Sequence, residues 1–166
     1  NNKFKFIKKN IKLLDLGSFP GGWSQVVSKI ISTGKTLALD LKKIEKINNV
    51  NFLQSNFLDE KTKKKVFTFF GEKLDVVISD MAADTTGNKS LDCIRTNQIC
   101  SDVVYFSTKI LKPNGVLVAK LFMGEDFLEV KNLAKKNFKK VDFFKPESSR
   151  SESKETYTIC SLLKTL

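Results

Sequence analysis

Short apolar runs alternate with longer segments of helical periodicity along most of the 166 residues. Seven runs have the length and composition of strands, at residues 11–16, 35–40, 50–54, 74–79, 115–122, 140–145 and 156–163. Four segments predict helices, at residues 23–32, 59–70, 91–111 and 124–138. Apolar strands separated by helices are typical of a parallel sheet that is covered on both faces. The pattern therefore predicts one α/β domain over residues 1–166.

The two last predicted strands depart from this alternation. Residues 146–155 between them are polar, and no helical segment separates the strands. A parallel pair needs a longer crossover, so we expect this pair to be antiparallel. In addition, Pro113 and Gly115 in the segment 112–115 predict a turn between the third helix and the fifth strand.

The first predicted strand leads into a glycine-rich segment at residues 15–23, with the sequence D-L-G-S-F-P-G-G-W. Glycines let a backbone approach a ligand closely because they have no Cβ atom. The helix that follows directs free N–H groups into the same space, where they favour an anion. The segment predicts a cradle for a ligand that carries a carboxylate or phosphate; the alternative is a plain strand-to-helix connection.

Asp40, at the end of the second predicted strand, narrows the choice of ligand. A carboxylate there can accept hydrogen bonds from both hydroxyls of a ribose. The glycine spacing is G-x-x-x-G-G, whereas a dinucleotide pyrophosphate site has G-x-G-x-x-G. Together these features favour S-adenosylmethionine, a nucleoside with an amino-acid tail, over a nicotinamide dinucleotide.

The composition adds a basic charge and excludes some chemistry. The chain has 29 Lys and Arg against 18 Asp and Glu, a net charge of +11, which favours a nucleic-acid partner. The alternative is that biased codon usage enriched Lys. The absence of His excludes histidine-based acid–base catalysis and most zinc sites. Three cysteines without a C-x-x-C pair fit a reducing compartment, and no apolar run reaches membrane-spanning length. We therefore expect a cytoplasmic protein with no metal and no membrane partner.

Three charged residues fall at the sheet edge where open parallel sheets bind ligands, beyond the carboxyl ends of the strands. Asp80 follows the fourth predicted strand, Lys120 lies near the end of the fifth, and Glu155 precedes the antiparallel last strand. A lysine within an apolar strand is unfavourable unless it is paired or used, although its ammonium can also extend into solvent. We expect Lys120, Asp80 and Glu155 to meet in a catalytic cleft.

These motifs in combination resemble the FtsJ (RlmE) family of ribosomal RNA 2′-O-methyltransferases. The resemblance rests on residues 15–23, on S-D-M-A at 79–82, on Lys120, and on S-S-R at 148–150 followed by E-x-Y at 155–157. It implies a Rossmann-like class I methyltransferase fold, a mostly parallel seven-stranded sheet of order 3-2-1-4-5-7-6 with the last strand antiparallel. It also implies S-adenosylmethionine as the methyl donor and a uridine ribose in the A loop of large-subunit ribosomal RNA as the acceptor.

The resemblance also implies roles for individual residues. Asp80, Lys120 and Glu155 match three members of a K-D-K-E catalytic tetrad, and the S-R-A-x-x-K-L context of the first lysine is absent, so we expect an N-terminal segment to be missing. Two positions depart from the family pattern: Asn56 replaces an Asp near the adenine, and Ala83 replaces a Pro. The expected cofactor contacts are Gly17, Pro20, Gly21, Gly22, Trp23, Asp40, Asn56, Phe57 and Asp80.

The acceptor should be held through its phosphates. The candidate contacts are Lys8, Lys9 and Lys12 near the first strand, and Arg150 and Lys154 in the late loop. We expect a monomer whose partner is ribosomal RNA within the large ribosomal subunit. Two other functions stay open, a non-catalytic RNA-binding or ribosome-assembly module with the same fold, and a nicotinamide-dependent oxidoreductase.

Overall fold

The computed structural model describes residues 5–124, 126–146 and 153–164. Strands and helices alternate along this part of the chain until the last two strands, which follow each other directly. The elements are β1 (Lys12–Leu16), α1 (Gly22–Ile30), β2 (Lys35–Asp40), β3 (Val50–Gln54), α2 (Glu60–Phe70), β4 (Leu74–Ser79), α3 (Lys89–Ile110), β5 (Leu111–Phe122), α4 (Phe127–Asn137), β6 (Phe138–Phe144) and β7 (Glu155–Leu163).

All seven strands join one sheet in the order β3-β2-β1-β4-β5-β7-β6. The pairs from β3 to β5 are parallel, and β7 runs antiparallel to both β5 and β6. This confirms the predicted strand order and the antiparallel last strand. Because β1, β2, β4 and β5 are parallel, their carboxyl ends lie at one edge of the sheet, and the antiparallel β7 begins at that same edge.

Each face of the sheet has its own apolar core. On one face, Val27 and Ile31 from α1 and its C-terminal end pack against Leu13, Ile78 and Ile159 of the sheet. On the other face, side chains of α2, α3 and α4 pack against the remaining apolar strand residues in a larger cluster. The alternation of apolar strand residues between the two clusters explains why the central strands are apolar throughout. The predicted helices on both faces are therefore confirmed.

The segment between α3 and the regular part of β5 differs from the turn that the sequence predicted. Leu74 pairs with Leu111 and Val76 pairs with Val116. Between these two pairs, β5 therefore contains more residues than β4. The intervening residues form an irregularity within β5 that contains Pro113, which cannot donate a backbone hydrogen bond to a strand ladder. No helix in the described part of the chain combines the length and the apolar character needed to cross a membrane.

Candidate active site

The glycine-rich turn after β1 is fixed by β2 on one side and by the segment after β4 on the other. The backbone N–H groups of Gly17 and Ser18 both donate to the carbonyl of Leu39, at 2.9 and 3.2 Å. Gly17 has φ +73°, and a Cβ atom there would lie 2.5 Å from Met81 Cγ and 2.9 Å from Met81 N. The turn therefore requires glycine at this position, for its backbone conformation and for the close approach of Met81.

The second half of the turn leaves its backbone accessible. Gly21 has φ +115° and precedes the first residue of α1. A Cβ atom added to Gly22 would meet nothing within 4 Å, so the start of α1 faces open space. Pro20 is exposed and Trp23 is partly buried beside this space. The N–H groups of the first helical turn can therefore bind the carboxylate of a ligand.

Asp40 lies at the end of β2, next to the turn. Its Oδ2 accepts a hydrogen bond of 2.9 Å from the backbone N–H of Phe19, and its Oδ1 accepts one of 2.8 Å from Lys42 N–H. Each carboxylate oxygen has a second lone pair. Asp40 therefore stabilises the turn and keeps lone pairs that can accept hydrogen bonds from a ribose diol.

Asp15 is fully buried beneath the turn. Its Oδ2 accepts a hydrogen bond of 2.6 Å from the hydroxyl of Ser24 in α1, and its Oδ1 has no hydrogen-bond partner among the residues that the structure describes. Burial raises the pKa of Asp15 to about 7 against the effect of the Ser24 hydrogen bond, and the carboxylates of Asp80 and Asp40 raise it further. The floor of the turn thus carries a carboxyl group that titrates near neutral pH.

Lys120, Asp80 and Glu155 meet at the carboxyl edge of the sheet, as predicted. The ammonium nitrogen of Lys120 lies 3.0 Å from Asp80 Oδ1 and 3.9 Å from Glu155 Oε2. The Lys120 ammonium also donates to the backbone carbonyl of Asp80, at 3.1 Å. Only 12% of the Lys120 side chain is exposed, whereas about a third of each carboxylate side chain is. The lysine is therefore a paired, largely buried cation whose partners face the cleft.

Tyr157 joins the two carboxylates, and sequence reasoning gave it no role. Its hydroxyl oxygen lies 2.8 Å from Asp80 Oδ1 and 3.0 Å from Glu155 Oε1. A phenol has one hydrogen to donate, so it can be donated fully to only one carboxylate at a time. Burial, together with the charges of Asp80 and Glu155, raises the pKa of Tyr157, so the phenol stays protonated at neutral pH. The Tyr157 ring also lies 5.5 Å from the ring of Trp23, which connects the cluster to α1.

Strand register explains why these residues converge. Lys120 is paired with Tyr157 and Phe122 with Glu155 in the antiparallel β5–β7 ladder. Residues two apart in a strand share a face, so Lys120, Tyr157 and Glu155 lie on the same side of the sheet. Asp80 directly follows β4, the other neighbour of β5. The E-x-Y spacing at 155–157 was the signal in the sequence that could have identified Tyr157.

Asn97 is a second residue that the sequence analysis missed. It is 1% exposed on α3, and its amide donates to Phe122 O at 3.0 Å and accepts from Phe122 N–H at 2.8 Å. The last β4–β5 pair joins Ser79 to Ala119, so Phe122 extends beyond β4. The Asn97 amide replaces the missing strand and holds the end of β5 opposite Glu155.

Phe57 and Asn56, two further predicted cofactor contacts, differ in how much of each the structure leaves available to a ligand. The Phe57 side chain is 3% exposed and packs edge-to-face on Phe106 at 5.3 Å, so the predicted cofactor contact of this residue can involve only its backbone. Asn56 is partly buried, and its side-chain oxygen accepts from Leu58 N–H at 3.0 Å, which leaves its amide N–H groups for a ligand.

The predicted phosphate contacts are divided between the two edges of the sheet. Lys12 begins β1 at the edge opposite Asp80 and forms an ion pair with Glu72, and the carbonyl of Lys9 accepts hydrogen bonds from Ser32 and Thr33 near the same edge. These positions count against Lys12 and its neighbours Lys8 and Lys9 as RNA contacts of the site. Lys154 lies beside Glu155 and is exposed, and Arg150 lies outside the described residues.

No group of three or more Cys, Asp or Glu residues within the described ranges could hold a metal ion. The site that the structure does form has three parts: a glycine turn open to an anion, a carboxylate at the end of β2, and the Lys120 cluster. It can hold a polar ligand across β1, β2 and β4 and present it to a lysine that is flanked by two carboxylates.

A family model, curated relatives and solved structures all match this chain to methyltransferases. The model of the FtsJ-like methyltransferase family matches residues 1–162. A curated relative from Pelagibacter ubique, named ribosomal RNA large subunit methyltransferase E, is 42% identical over 99% of this chain and 81% of its own length. Among solved structures, a protein from Plasmodium falciparum described as a ribosomal RNA methyltransferase has a TM-score of 0.85 at 26% identity, covering 98% of this chain and 91% of that one. Human methyltransferase-like protein 13 in complex with SAH shares the fold, with a TM-score of 0.68 at 14% identity over 95% of this chain and 77% of that one.

Proposed function

The chain belongs to the FtsJ-like methyltransferase family, and we propose that it transfers the methyl group of S-adenosylmethionine to the ribose 2′-hydroxyl of a uridine in large-subunit ribosomal RNA. The observation that carries this proposal is the largely buried Lys120 ammonium, 3.0 Å from Asp80 at the edge of the sheet that also holds the glycine turn. The curated relative's name supports ribosomal RNA of the large subunit as the acceptor.

The residues present fit S-adenosylmethionine. The open space at Gly22 and the first N–H groups of α1 suit the carboxylate of its amino-acid tail, and Asp40 suits its ribose hydroxyls. Gly17, Pro20, Gly21 and Trp23 would surround the tail, and Asp80 and the amide of Asn56 would complete the contacts. When bound, the cofactor supplies a methyl group on a positively charged sulfur.

Lys120 acts on the acceptor hydroxyl. Its amine binds the 2′-hydroxyl and places the oxygen in line with the methyl group, and such positioning accounts for most of the rate of a displacement between two bound partners. The cofactor would supply the methyl group, and Lys120 would accept the hydroxyl proton after its ammonium, the form paired with Asp80 and Glu155, has released a proton to solvent, because only the free amine is a base. Asp80 and Glu155, at 3.0 and 3.9 Å, stabilise the ammonium that results.

Tyr157 positions both carboxylates. Its hydroxyl can donate to either carboxylate, since the two acceptor oxygens lie 2.8 and 3.0 Å away. A shift of this hydrogen toward one carboxylate leaves the other free to interact with Lys120 or with the ribose. The proposed active form is a single domain that acts as a monomer in the cytoplasm, on RNA within the large ribosomal subunit, with Lys154 and Arg150 as phosphate contacts.

The test is transfer of a tritiated methyl group from S-adenosylmethionine to large ribosomal subunits that lack the modification, beside naked ribosomal RNA. We expect incorporation at one ribose 2′-oxygen, mapped by mass spectrometry of nuclease fragments. Asp80→Ala should weaken both cofactor binding and transfer, because Asp80 contacts Lys120 and faces the cofactor cleft. Incorporation into a base, or RNA binding without any transfer, would overturn the proposal, and the second outcome would favour a non-catalytic RNA-binding module.

A further inference from the structure

A cavity of about 440 Å³ opens beside the Lys120 cluster, between the start of α3, the end of β5 and the start of β7. We propose that this cavity receives the base of a nucleotide that adjoins the methylated one in the acceptor RNA. This inference rests on the proposed function, because it places a second recognition element next to the same site. Among the described residues, its lining includes Ser90, Cys93, Ile94, Gly124 and Lys154.

The cavity and the Lys120 cluster lie at the same edge of the sheet, where β5 ends and β7 begins. Met123 N–H donates to the carbonyl of Lys154 at 2.8 Å, one step beyond the pair of Phe122 and Glu155. Lys154 lines the cavity and directly precedes Glu155 in the chain, so the cavity and Glu155 are adjacent at the start of β7. An RNA strand whose ribose reaches Lys120 passes the mouth of the cavity within a short stretch of backbone.

The walls suit a flat, uncharged ring better than a phosphate group. Ile94 lines the cavity and is 43% exposed, and Leu91 and Met123, the chain neighbours of the lining residues Ser90 and Gly124, are 42% and 47% exposed. The Asn88 side chain already accepts hydrogen bonds from the N–H groups of Ser90 and Leu91, so these helix-end donors are not available to an anion. Proteins that take up an unstacked base hold it between aromatic or apolar side chains.

The segment after β5 that lines the cavity packs closely against α3. A Cβ atom added to Gly124, two residues after β5, would overlap Cys93 Sγ, so the chain passes close to α3 at this position. The side chain of Asn97 forms hydrogen bonds with both the N–H and the carbonyl of Phe122, which fixes the end of β5 relative to α3. The cavity therefore rests on buried, hydrogen-bonded elements, and its volume lies in the range of about 300–1,000 Å³ typical of small-molecule sites.

The positive charge around the cavity favours an RNA occupant, whose phosphates are negatively charged. Lys154 lines the cavity, and Lys89 and Arg95 are exposed on the first two turns of α3. These cations lie on a chain whose net charge is +11. An apolar cavity with basic residues around it binds a base inside and a phosphate at its mouth.

Two variants test the cavity with the full chain. Ile94→Glu replaces an apolar wall with a negative charge, and Ser90→Trp fills the space with a ring; both positions are exposed, so folding is preserved. The matched control is Tyr105→Glu, which introduces the same charge at a 56% exposed position three turns further along α3. We expect both cavity variants to raise KM for large ribosomal subunits by about tenfold, the effect of losing one stacked base, without changing kcat or the affinity for S-adenosylmethionine. A KM for Ile94→Glu no higher than that of Tyr105→Glu would overturn the inference.

Photocrosslinking identifies the occupant directly. A benzophenone side chain at position 94 should crosslink to a nucleotide adjacent to the methylated one, and the same probe at position 105 should not. A crosslink to a ribosomal protein instead would overturn the inference. The wild-type protein in the same assay separates the two proposals: normal methylation with unaffected cavity variants refutes the cavity alone, whereas a wild type that transfers no methyl group refutes the proposed function.

Discussion

Asp15→Asn is the substitution whose effect on stability can be worked out most fully. The Asp15 carboxyl is fully exposed to solvent in the unfolded chain and fully buried in the folded one, where its pKa is raised from 3.8 to about 7. The folded protein therefore holds a proton that the unfolded chain releases between these two pH values. Asparagine has nearly the same shape and can still accept the hydrogen bond from Ser24, but it does not titrate.

The sign and size of the effect follow from this proton. For a group whose folded pKa is raised, the contribution to stability is fully present below the unfolded pKa of 3.8 and is lost as the pH rises through about 7. Each pH unit in this window lowers the unfolding free energy by about 1.4 kcal/mol, so the complete window corresponds to on the order of 4 kcal/mol. Between about pH 5 and pH 6.5, the wild type should lose about 2 kcal/mol relative to Asp15→Asn.

Urea unfolding of both proteins at these two pH values, followed by circular dichroism, measures this difference. Glu60, Glu72 and Asp92 have pKa values lowered by their neighbours, but they titrate in both proteins, so the comparison between the variants removes their effect. A difference in unfolding free energy that stays constant with pH would refute the reasoning. A wild type that gains stability relative to Asp15→Asn as the pH rises would refute it as well.

Three further predictions concern the site. Tyr157→Phe removes the hydroxyl that contacts both carboxylates, and we expect steady-state kinetics to show kcat lowered by about tenfold with cofactor affinity unchanged; an unchanged kcat would contradict a positioning role. Gly17→Ala should lower the melting temperature more than Gly71→Ala, because both glycines have positive φ but only Gly17 faces Met81; equal losses would show that the contact is unimportant. RNA binding measured by fluorescence anisotropy should weaken steeply with salt, and a flat response would argue against phosphate contacts.

The positions of the strands could be predicted from local patterns. Residues 35–40, 50–54 and 74–79 have the same bounds in the sequence prediction and in the structure, because each is a short segment rich in apolar residues that ends at a polar residue. The proximity of Asp80 and Lys120 could also be predicted, because both residues lie near the carboxyl ends of parallel strands and these ends share one edge of the sheet. The strand order itself rested on the family resemblance and was confirmed.

The features that the sequence did not reveal depend on register and on tertiary contacts. Tyr157 faces the site because of its pairing with Lys120 across β5 and β7, and the register between distant strands is not visible in local patterns. Asn97 reads as an ordinary helix residue until its contact with Phe122 is known. Lys12 follows two other lysines, but β1 begins at the edge opposite the site, where Glu72 binds it.

Lys120→Ala gives the most direct test of the proposed mechanism. The matched control is Lys112→Ala, which removes a lysine of the same strand that is paired with Asp75, 2.7 Å away, far from the carboxyl edge. Calorimetry should give the same affinity for S-adenosylmethionine in the wild type and both variants, and tritiated-methyl transfer to large ribosomal subunits should be lost in Lys120→Ala alone. Near-normal transfer by Lys120→Ala would contradict the claim that this lysine receives the proton of the ribose hydroxyl.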